Sequence, residues 1–331
     1  MIFQKSGQDV DWANELMELS WTYRAGRLVH VAHGTGLFER LGRGKAATAA
    51  LALDLRLDET WVERLLIPLA ALGLVARADR NWELTPKAAA TLRSDAPLYQ
   101  GHTLAHSSHV WRFWNDLGSR VRGEEGGWVY SPLGEELFRP HRDFILAMHN
   151  MAMAGRAAAL ADAVDLAGRR TLMDVGGGPG SYAMALCERN PGLVATVFDL
   201  AETIEIAREV IARLGMTDRV RTVVGDWDKD EFGSDNDVVL MSNILHGPDS
   251  GAEMKLAKAR RSMKSGGLLI IQDFLMNAEK TGPLIPALFN VMVGAYSVTE
   301  LTGLVAAAGF SSVKTLPMPD SAGTTLITAV M

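Results

Sequence analysis

The 331-residue sequence has little cysteine, no excess of basic residues and no long apolar run. Its single cysteine, Cys187, excludes a disulfide framework and predicts a protein of the reducing cytoplasm. Lysine and arginine number 33 against 39 acidic residues, so the charge balance gives no reason to expect nucleic acid or an anionic membrane as a partner. Neither an apolar N-terminal segment nor an uninterrupted run of about 18 apolar residues occurs, which argues against a signal peptide and a transmembrane helix.

The length and the 48% hydrophobic content are sufficient for two domains with substantial cores. Residues 48–55 and 58–72 predict a helix-turn-helix, and two short strands around a polar turn at 79–81 follow it, a pattern typical of a winged helix. The second helix begins with acidic residues and continues apolar, so it favours dimerisation over DNA binding, which needs basic side chains. We predict three parts, which are a winged-helix dimerisation domain over residues 1–96, a helical connector over 97–164 and an α/β domain over 165–331.

The predicted connector is rich in aromatic residues, methionine and histidine. Such side chains are ordinary core material, but they also suit the wall of a pocket for a flat or apolar ligand. His102, His106 and His109 share one face of a predicted helix at the spacing i, i+4 and i+7. No cysteine or close acidic residue accompanies them, so we interpret this pattern as a half-exposed helix face and predict no metal site.

The most informative stretch runs from Leu172 to Gly180, where a buried strand meets four glycines and a proline within five residues. A strand is predicted over 171–175 and a helix over 181–189, so the stretch indicates the opening turn of a nucleotide-binding βαβ unit. Glycine lets a ligand approach the backbone, and free N–H groups at the helix start favour polar or anionic ligand atoms. A dinucleotide fingerprint beginning at Gly176 would need glycine where Ser181 stands, which argues against an NAD-dependent enzyme.

Acidic residues stand at the ends of three successive predicted strands. Asp174 ends the first, Asp199 ends the second about 20 residues past the glycines, and Asp226 follows the third. At these positions Asp199 is suited to accept ribose hydroxyls, and Asp226 to accept from an adenine amino group beside the apolar face of Trp227. Further strands are predicted over 237–241, 268–272, 311–316 and 324–330, with a turn at 264–267 before the fifth strand. This alternation of strands and helices predicts a parallel sheet with helices on both faces.

These motifs resemble those of the class I S-adenosylmethionine (SAM)-dependent small-molecule O-methyltransferases that carry an N-terminal winged-helix dimerisation domain. The resemblance covers nearly the whole chain and rests on Asp174–Gly180, Phe198-Asp199-Leu200 and Gly225-Asp226-Trp227, with residues 31–38 as an N-terminal signature. It implies a seven-stranded Rossmann-like α/β domain, a homodimer, a small-molecule methyl acceptor and SAM as the cofactor. The residues that it assigns to SAM are Asp174, Gly176, Gly178, Gly180, Asp199, Leu200, Asp226, Trp227 and Ser242, with Asp174 near the ammonium of the methionine moiety.

The same resemblance places a catalytic histidine at His246, just past the fourth strand of the α/β domain. A neutral imidazole is suited to remove the proton of a hydroxyl acceptor, and Asp273 is the carboxylate expected to orient it. The residues expected on the acceptor side are Trp111, Phe144, Met148, Phe289 and Met292.

The sequence departs from the family pattern around this histidine. Gly247 stands where the family has aspartate, Asp273 is shorter than the usual glutamate, and the later acidic partner is missing from Gly294-Ala295-Tyr296. A hydroxyl acceptor is the leading expectation, and a thiol or carbon acceptor that needs little base assistance stays open. Two further alternatives are a SAM-binding lyase, hydroxylase or rearrangement enzyme of the same fold and a ligand-sensing transcription factor.

Overall fold

A computed structural model of the chain describes residues 7–124, 138–319 and 323–331. The chain divides into two compact units, residues 1–128 and residues 129–331. The predicted connector contributes helices to both units, and its residues 125–137 lie outside the described part of the chain.

The first unit consists of helices and one two-stranded sheet. Its elements are α1 (Gln8–Gly34), α2 (Leu37–Gly42), α3 (Thr48–Leu55), α4 (Glu59–Ala71), β1 (Val75–Ala78), β2 (Asn81–Leu84), α5 (Pro86–Leu92), α6 (Gly101–Asn115) and α7 (Leu117–Val121). The side chain of Asp58 caps α4 by accepting a 3.0 Å hydrogen bond from the Trp61 N–H, which satisfies a backbone donor at the helix start. β1 and β2 pair as an antiparallel hairpin. The helix pair and the hairpin therefore form where the sequence predicts them.

The second unit is built on one sheet, to which the described residues contribute seven strands. These are β3 (Thr171–Val175), β4 (Val194–Asp199), β5 (Val220–Val224), β6 (Asn236–Ser242), β7 (Met263–Asp273), β8 (Ser311–Leu316) and β9 (Thr325–Val330). The strand order is β5-β4-β3-β6-β7-β9-β8. The first five strands pair in parallel, whereas β9 runs antiparallel to both β7 and β8. The predicted seven-stranded Rossmann-like sheet is confirmed, but its last strand departs from the parallel arrangement because β8 and β9 form an antiparallel pair, which needs no crossover helix.

Helices cover both faces of this sheet. They are α8 (Phe138–Met151), a π-helical segment (Ala152–Arg156), α9 (Ala157–Ala163), α10 (Ser181–Arg189), α11 (Ala201–Arg213), a short 3-10 turn (Pro248–Ser250), α12 (Ala252–Ser262), α13 (Leu284–Val293) and α14 (Val298–Ala307). Side chains alternate along the strands, so Leu172 and Leu240 belong to one buried cluster while Val175 and Met241 belong to the other. The carboxyl ends of the parallel strands consequently meet at one edge between two packed layers.

One stretch of the second unit, His141–Ala163, is long and apolar enough to cross a membrane by length and composition. Half of its most apolar window is buried inside the protein, and Ile145, Leu146 and Leu160 belong to the buried cluster that contains Leu172 and Leu240. The stretch is also interrupted, because Gly155 has φ +106° inside the π-helical segment. Its packing is therefore that of a core helix with a kink.

The prediction of a turn at residues 264–267 is wrong. These residues lie inside β7, as a bulge between the pairs Asn236↔Met263 and Val238↔Leu268. The N–H of Gly266 donates to the carbonyl oxygen of Met331 at 3.1 Å, and the N–H of Met331 donates to Gly267 at 2.9 Å. The end of the chain thus satisfies this backbone on the opposite side of the strand, a partner that local sequence does not reveal.

Candidate active site

The glycine turn after β3 brings three loops of the second unit together. Gly176, Gly178 and Gly180 all have positive φ, at +64°, +54° and +76°. A Cβ atom on Gly176 would lie 2.7 Å from Cζ3 of Trp227 and 2.8 Å from Cγ2 of Ile244. Glycine is therefore required at this position for the turn to pack against the loop that follows β5 and the loop that follows β6.

Asp174 is a buried carboxylate without a hydrogen-bond partner of good geometry. Its residue is 1% exposed, and neither carboxylate oxygen accepts a hydrogen bond within the described residues. Burial, and after it the negative charge of Asp199, raises the pKa of Asp174 to about 7, and a weak interaction with the Ala183 backbone opposes this only in part. A buried acid in this state is stabilised by a cation that enters the site.

Asp199, at the end of β4, is held in a fixed orientation. Its two carboxylate oxygens accept hydrogen bonds of 2.8 Å from the backbone N–H groups of Gly178 and Leu200. Burial raises the pKa of Asp199, while these donors and the hydroxyl of Thr203 act in the opposite direction. The Thr203 hydroxyl also lies 3.2 Å from Nε2 of His141 on α8. The ribose-binding candidate is thus joined directly to the glycine turn.

Asp226 and Trp227 follow β5, as the sequence indicates. The carboxylate of Asp226 pairs with Nζ of Lys229 at 2.7 Å and accepts from the N–H of Asp228 at 2.9 Å. The hydrogen bond from Lys229 lowers the pKa of Asp226. Trp227 is half-buried and lies against Gly176, with Nζ of Lys255 4.5 Å from its ring centroid.

His246 and Asp273 form a hydrogen-bonded pair at the ends of β6 and β7. Nδ1 of His246 lies 2.7 Å from Oδ1 of Asp273. The Asp273 side chain is fully buried and also accepts hydrogen bonds from the N–H groups of Leu245 and Phe274, at 2.9 and 2.8 Å. An ionised carboxylate only accepts, so Nδ1 carries the proton and the lone pair of Nε2 remains available. The described residues provide no hydrogen-bond partner for Nε2, and about a quarter of the His246 side chain is exposed.

The backbone packing next to this histidine leaves no room for a side chain at Gly247, where the resemblance leads us to expect aspartate. A Cβ atom on Gly247 would lie 2.9 Å from the carbonyl carbon of Gly294 and 3.0 Å from the N atom of Ala295. The N–H of Tyr296 donates to the carbonyl oxygen of His246 at 2.6 Å. The segment that lacks the later acidic residue therefore packs its backbone directly against the histidine loop, and it excludes any side chain at position 247.

A polar group beside Ser242 was missed in the sequence. Nε2 of Gln272 donates to the hydroxyl of Tyr182 at 2.9 Å and to Oγ of Ser242 at 3.3 Å. Oε1 of Gln272 and Oδ1 of Asn243 are buried and accept no hydrogen bond from the described residues. Gln272 precedes Asp273 and Asn243 follows Ser242 in the sequence. Their position at the ends of two strands is therefore the signal that could have identified them.

The residues predicted on the acceptor side fall into separate places. Phe289 on α13 stacks on Phe274, with ring centroids 3.7 Å apart, and Phe274 lies 6.2 Å from the His246 ring. Met292, on the same helix as Phe289, is half-buried. On α8, Phe144 packs against a core cluster of the sheet and Met148 is half-buried.

Trp111 belongs to the first unit, where its ring lies 6.2 Å from that of Tyr23 and 5.5 Å from the guanidinium carbon of Arg27. Its role on the acceptor side stays a prediction. Within residues 7–124, 138–319 and 323–331, no three side chains of the types that bind metals are grouped closely enough to hold an ion.

Comparison with known proteins identifies the family. The family profile of the O-methyltransferase domain matches residues 136–311, which is more than half of the chain. The chain is 33% identical, over 85% of its own length and 85% of the relative, to the 3-hydroxy-5-methyl-1-naphthoate 3-O-methyltransferase of Streptomyces sahachiroi. It is 28% identical to the N,N-dimethyltransferase OxyT of Streptomyces rimosus, over 81% of its length and 80% of that relative.

The chain belongs to the O-methyltransferase family. It is a SAM-dependent methyltransferase of small molecules. Its fold matches that of human N-acetylserotonin methyltransferase in complex with SAM, with a TM-score of 0.83 over 99% of both chains at 22% identity. The expected fold, enzyme class and cofactor are therefore confirmed, and a nicotinamide-dependent or DNA-binding function is not supported.

The residues of this methyltransferase suit the cofactor chemically. SAM carries an ammonium and a sulfonium, and the site offers a buried carboxylate at Asp174 and carbonyl oxygens at Asn243 and Gln272 that accept no hydrogen bond from the described part of the chain. The turn at Gly176 has no room for a side chain. These features are those of a site that receives a cationic ligand through acceptor groups and bare backbone.

We expect Gly176→Ala to raise the dissociation constant for SAM at least tenfold, because the added methyl group meets Trp227 and Ile244. Gly215→Ala is the matched control, since Gly215 also has positive φ, at +69°, but a Cβ there meets nothing within 4 Å. Both variants carry the strain of a left-handed backbone, on the order of 1 kcal/mol, and only the first changes cofactor binding. Calorimetric titration with SAM and thermal unfolding separate the two effects; equal SAM affinities in the two variants would contradict the packing argument.

Proposed function

We propose that this methyltransferase methylates a hydroxyl group on a small aromatic molecule and that His246 removes the hydroxyl proton. The observation that carries the proposal is the 2.7 Å hydrogen bond from His246 Nδ1 to the fully buried Asp273. This bond fixes the ring orientation and leaves Nε2 as a base. Asp273 also stabilises the imidazolium that forms when the proton is taken up.

We propose that the cofactor residues act by binding SAM and orienting it. SAM, when bound, supplies the methyl group as an electrophilic carbon on a sulfonium. Asp174 binds the ammonium, Asp199 the ribose hydroxyls, and Leu200 and Trp227 the adenine ring, with Asp226 accepting from its amino group. Gly176, Gly178 and Gly180 allow the close approach of the ligand, and Ser242 belongs to the polar group beside the methionine moiety. Holding both reactants in line supplies most of the rate enhancement in a displacement of this kind.

A planar acceptor is supported by the aromatic rings next to the base. Phe274 and Phe289 stack at 3.7 Å with an interplanar angle of 10°, and the His246 ring is tilted 26° from that of Phe274. Phe274 is buried under Phe289, so the half-buried Phe289 ring offers the flat apolar surface on which an aromatic acceptor can stack. The relative from Streptomyces sahachiroi is named for a hydroxynaphthoate acceptor, and the relative from Streptomyces rimosus for N,N-dimethylation. The hydrogen-bonded pair of His246 and Asp273 favours oxygen as the acceptor atom, because a neutral amine needs no proton removed before it attacks the methyl group.

The decisive experiment is a product analysis with methyl-labelled SAM and matched panels of hydroxy-, amino- and thiol-substituted naphthalenes. We expect one S-adenosylhomocysteine per aryl methyl ether formed, with hydroxy compounds preferred at least tenfold over amino and thiol compounds. Preference for the amino or thiol panel would reject oxygen as the acceptor atom. Conversion of an acceptor with SAM left unchanged would reject methyl transfer.

A homodimer formed through the first unit is part of the proposal. The long helix α1 exposes large apolar side chains that are between 44% and 67% accessible, with Trp12, Leu16, Leu19 and Tyr23 on one face and Met17 and Trp21 on the opposite face. Exposed apolar side chains grouped in this way mark a protein–protein interface. We propose that a second copy of the chain covers it, that the winged-helix region serves dimerisation, and that the enzyme acts in the cytoplasm without nucleic acid or membrane partners.

We expect the double substitution Leu16→Asp and Leu19→Asp to give a monomer, because two buried charges at an apolar interface cost more than the contact supplies. Leu53→Asp is the control, since Leu53 is 80% exposed and lies on α3 rather than α1. Sedimentation velocity on the two variants and the parent measures the outcome. A parent that sediments as a monomer would reject the dimer, and a dimeric double variant would reject α1 as its interface.

A further inference from the structure

Helix α12 carries two lysines that are almost completely buried. Lys255 is 4% exposed and Lys258 is 5% exposed, and they lie on the same face of α12 as Ala252, Leu256 and Ala259. Buried lysines are rare unless a carboxylate pairs with them. Neither ammonium has a carboxylate within 4 Å among the described residues; each is stabilised by backbone carbonyl oxygens instead.

Lys255 contacts the loop that carries His246 on both sides of the histidine. Its Nζ donates to the carbonyl oxygen of Ser250 at 2.6 Å and to that of Ile244 at 3.3 Å. The same Nζ lies 4.5 Å from the ring centroid of Trp227, within the range of a cation–π interaction. One buried ammonium therefore touches the catalytic loop and the aromatic ring next to the glycine turn.

Lys258, one helical turn further on, has a different set of contacts, which includes the Phe232 ring at 5.8 Å from its Nζ. Its Nζ donates to the carbonyl oxygens of Trp227 and Asp230 at 2.8 and 3.0 Å. These contacts hold the loop that follows β5 through its backbone and include no residue of the His246 loop. The two lysines thus match in residue type, helix and burial, but differ in which loop they support.

We propose that Lys255 is a positioning residue that sets the His246 loop and the Trp227 ring in one fixed geometry. The proposal rests on the proposed function, because it takes His246 as the base and Trp227 as the adenine contact. An apolar side chain at position 255 leaves the carbonyl oxygens of Ile244 and Ser250 without the donor that Lys255 supplies, so the loop must shift to find another. A shift of about 1 Å in a reacting group lowers the rate by up to about 100-fold.

The test compares Lys255→Met with Lys258→Met, because methionine keeps an apolar stem and removes the ammonium. We expect Lys255→Met to lower kcat about 10- to 100-fold at saturating SAM, with a change in the KM for SAM as well. We expect Lys258→Met to act mainly on the KM for SAM, with kcat within about threefold of the parent, since its contacts are confined to the loop after β5. Equal kcat values for the two variants would overturn the proposal.

A double-mutant cycle measures the coupling between two substitutions in SAM binding, which a loss of stability alone does not change. Trp227→Leu removes the ring that Lys255 contacts and keeps the backbone carbonyl that Lys258 binds, so its effect on the dissociation constant for SAM is expected to be non-additive with Lys255→Met by at least threefold and close to additive with Lys258→Met. Additivity in both cycles would also overturn the proposal. If Lys255→Met does not fold, Lys255→Gln, which keeps an N–H donor, replaces it and is expected to lose at least fivefold in kcat; full activity in this variant rejects the proposal.

The outcome for His246→Ala distinguishes the two levels of inference. If that variant keeps full activity, the proposed base is wrong whatever Lys255 does. If it is inactive while the folded Lys255 variants keep the parent kcat, only the positioning role of Lys255 is rejected.

Discussion

His246→Ala is expected to lower kcat by about 10²- to 10⁴-fold while the dissociation constant for SAM stays within about twofold of the parent. The imidazole is the group with a free lone pair beside Phe274, and its removal leaves only positioning to assist the displacement. A discontinuous activity assay gives kcat, and calorimetric titration with SAM gives the dissociation constant. Full turnover in the variant would show that the acceptor loses its proton without help from this residue.

Asp273→Asn is the companion variant, because it tests the orientation of the base while keeping its size. The Leu245 N–H donates to one carboxylate oxygen of Asp273, whereas the Phe274 N–H and Nδ1 of His246 share the other, so the single oxygen of an amide can serve only one of these two sides. We expect kcat to fall less than in His246→Ala but at least tenfold, because the ring loses the charged partner that fixes its tautomer. An unchanged kcat would limit Asp273 to a structural role in the β6 and β7 loops.

Asp174→Asn is expected to weaken SAM binding roughly 10- to 100-fold and to stabilise the cofactor-free protein at neutral and higher pH. A hydrogen bond to a charged group is worth about 1.5–3 kcal/mol, and the substitution removes the charge that the ammonium meets. In the absence of SAM the same charge is buried without a partner, so its removal is favourable. Calorimetric titration and chemical unfolding of the apoprotein give the two values, and a tighter or unchanged SAM affinity would exclude this carboxylate as the ammonium site.

The pH dependence of Asp174 has a definite sign. Its pKa is about 7 in the folded protein against 3.8 in the reference state, so between about pH 4 and pH 7 the folded state holds a proton that the unfolded state has lost. The contribution of Asp174 to the free energy of unfolding therefore falls as pH rises through this window and is level above it. The difference in the free energy of unfolding between the parent and Asp174→Asn, measured as a function of pH, isolates this contribution. SAM affinity of the parent is expected to rise with pH up to about 7, and the variant to lack that rise.

Asp237→Asn is the control of opposite sign for this experiment. Partial burial alone would raise the pKa of Asp237, but hydrogen bonds from Lys264 and from the N–H groups of Arg170 and Thr171 lower it to about 2. Its contribution to stability is present above about pH 4 and is lost as pH falls toward 2, and the substitution destabilises the protein at neutral pH. Asp237 lies at the start of β6, away from the strand ends of the site, so SAM affinity should not change.

Local sequence was sufficient to locate the parts of the site that depend on chain direction and backbone conformation. β3 and α10 begin and end at the residues that the pattern predicts, and the turn between them has the positive φ values that its glycines allow. Asp273 ends β7 and His246 follows the adjacent strand β6, so their side chains meet once the strand order is given. Asp174 and Asp199 reach the same edge for the same reason.

Other features depend on which elements cover a side chain, and the sequence does not contain that information in readable form. The buried lysines of α12 occupy positions that face the core. In the sequence they only interrupt the apolar face of the predicted helix, and nothing there indicates what they bind. The family departure at Gly247 reads as a lost carboxylate in the sequence, whereas the structure shows the Gly294 and Ala295 backbone in the space of a side chain.

The sequence by itself determined the sheet, the glycine turn, the order of the acidic strand ends and the position of the histidine, because strand and helix periodicity and glycine conformation are local properties of the chain. Only the tertiary structure decided the unpartnered state of Asp174, the pairing of Lys255 with two backbone carbonyls, and the antiparallel last strand. Each of these depends on solvent exclusion or pairing between segments far apart in sequence, and desolvation is a property of the assembled layers rather than of any one segment.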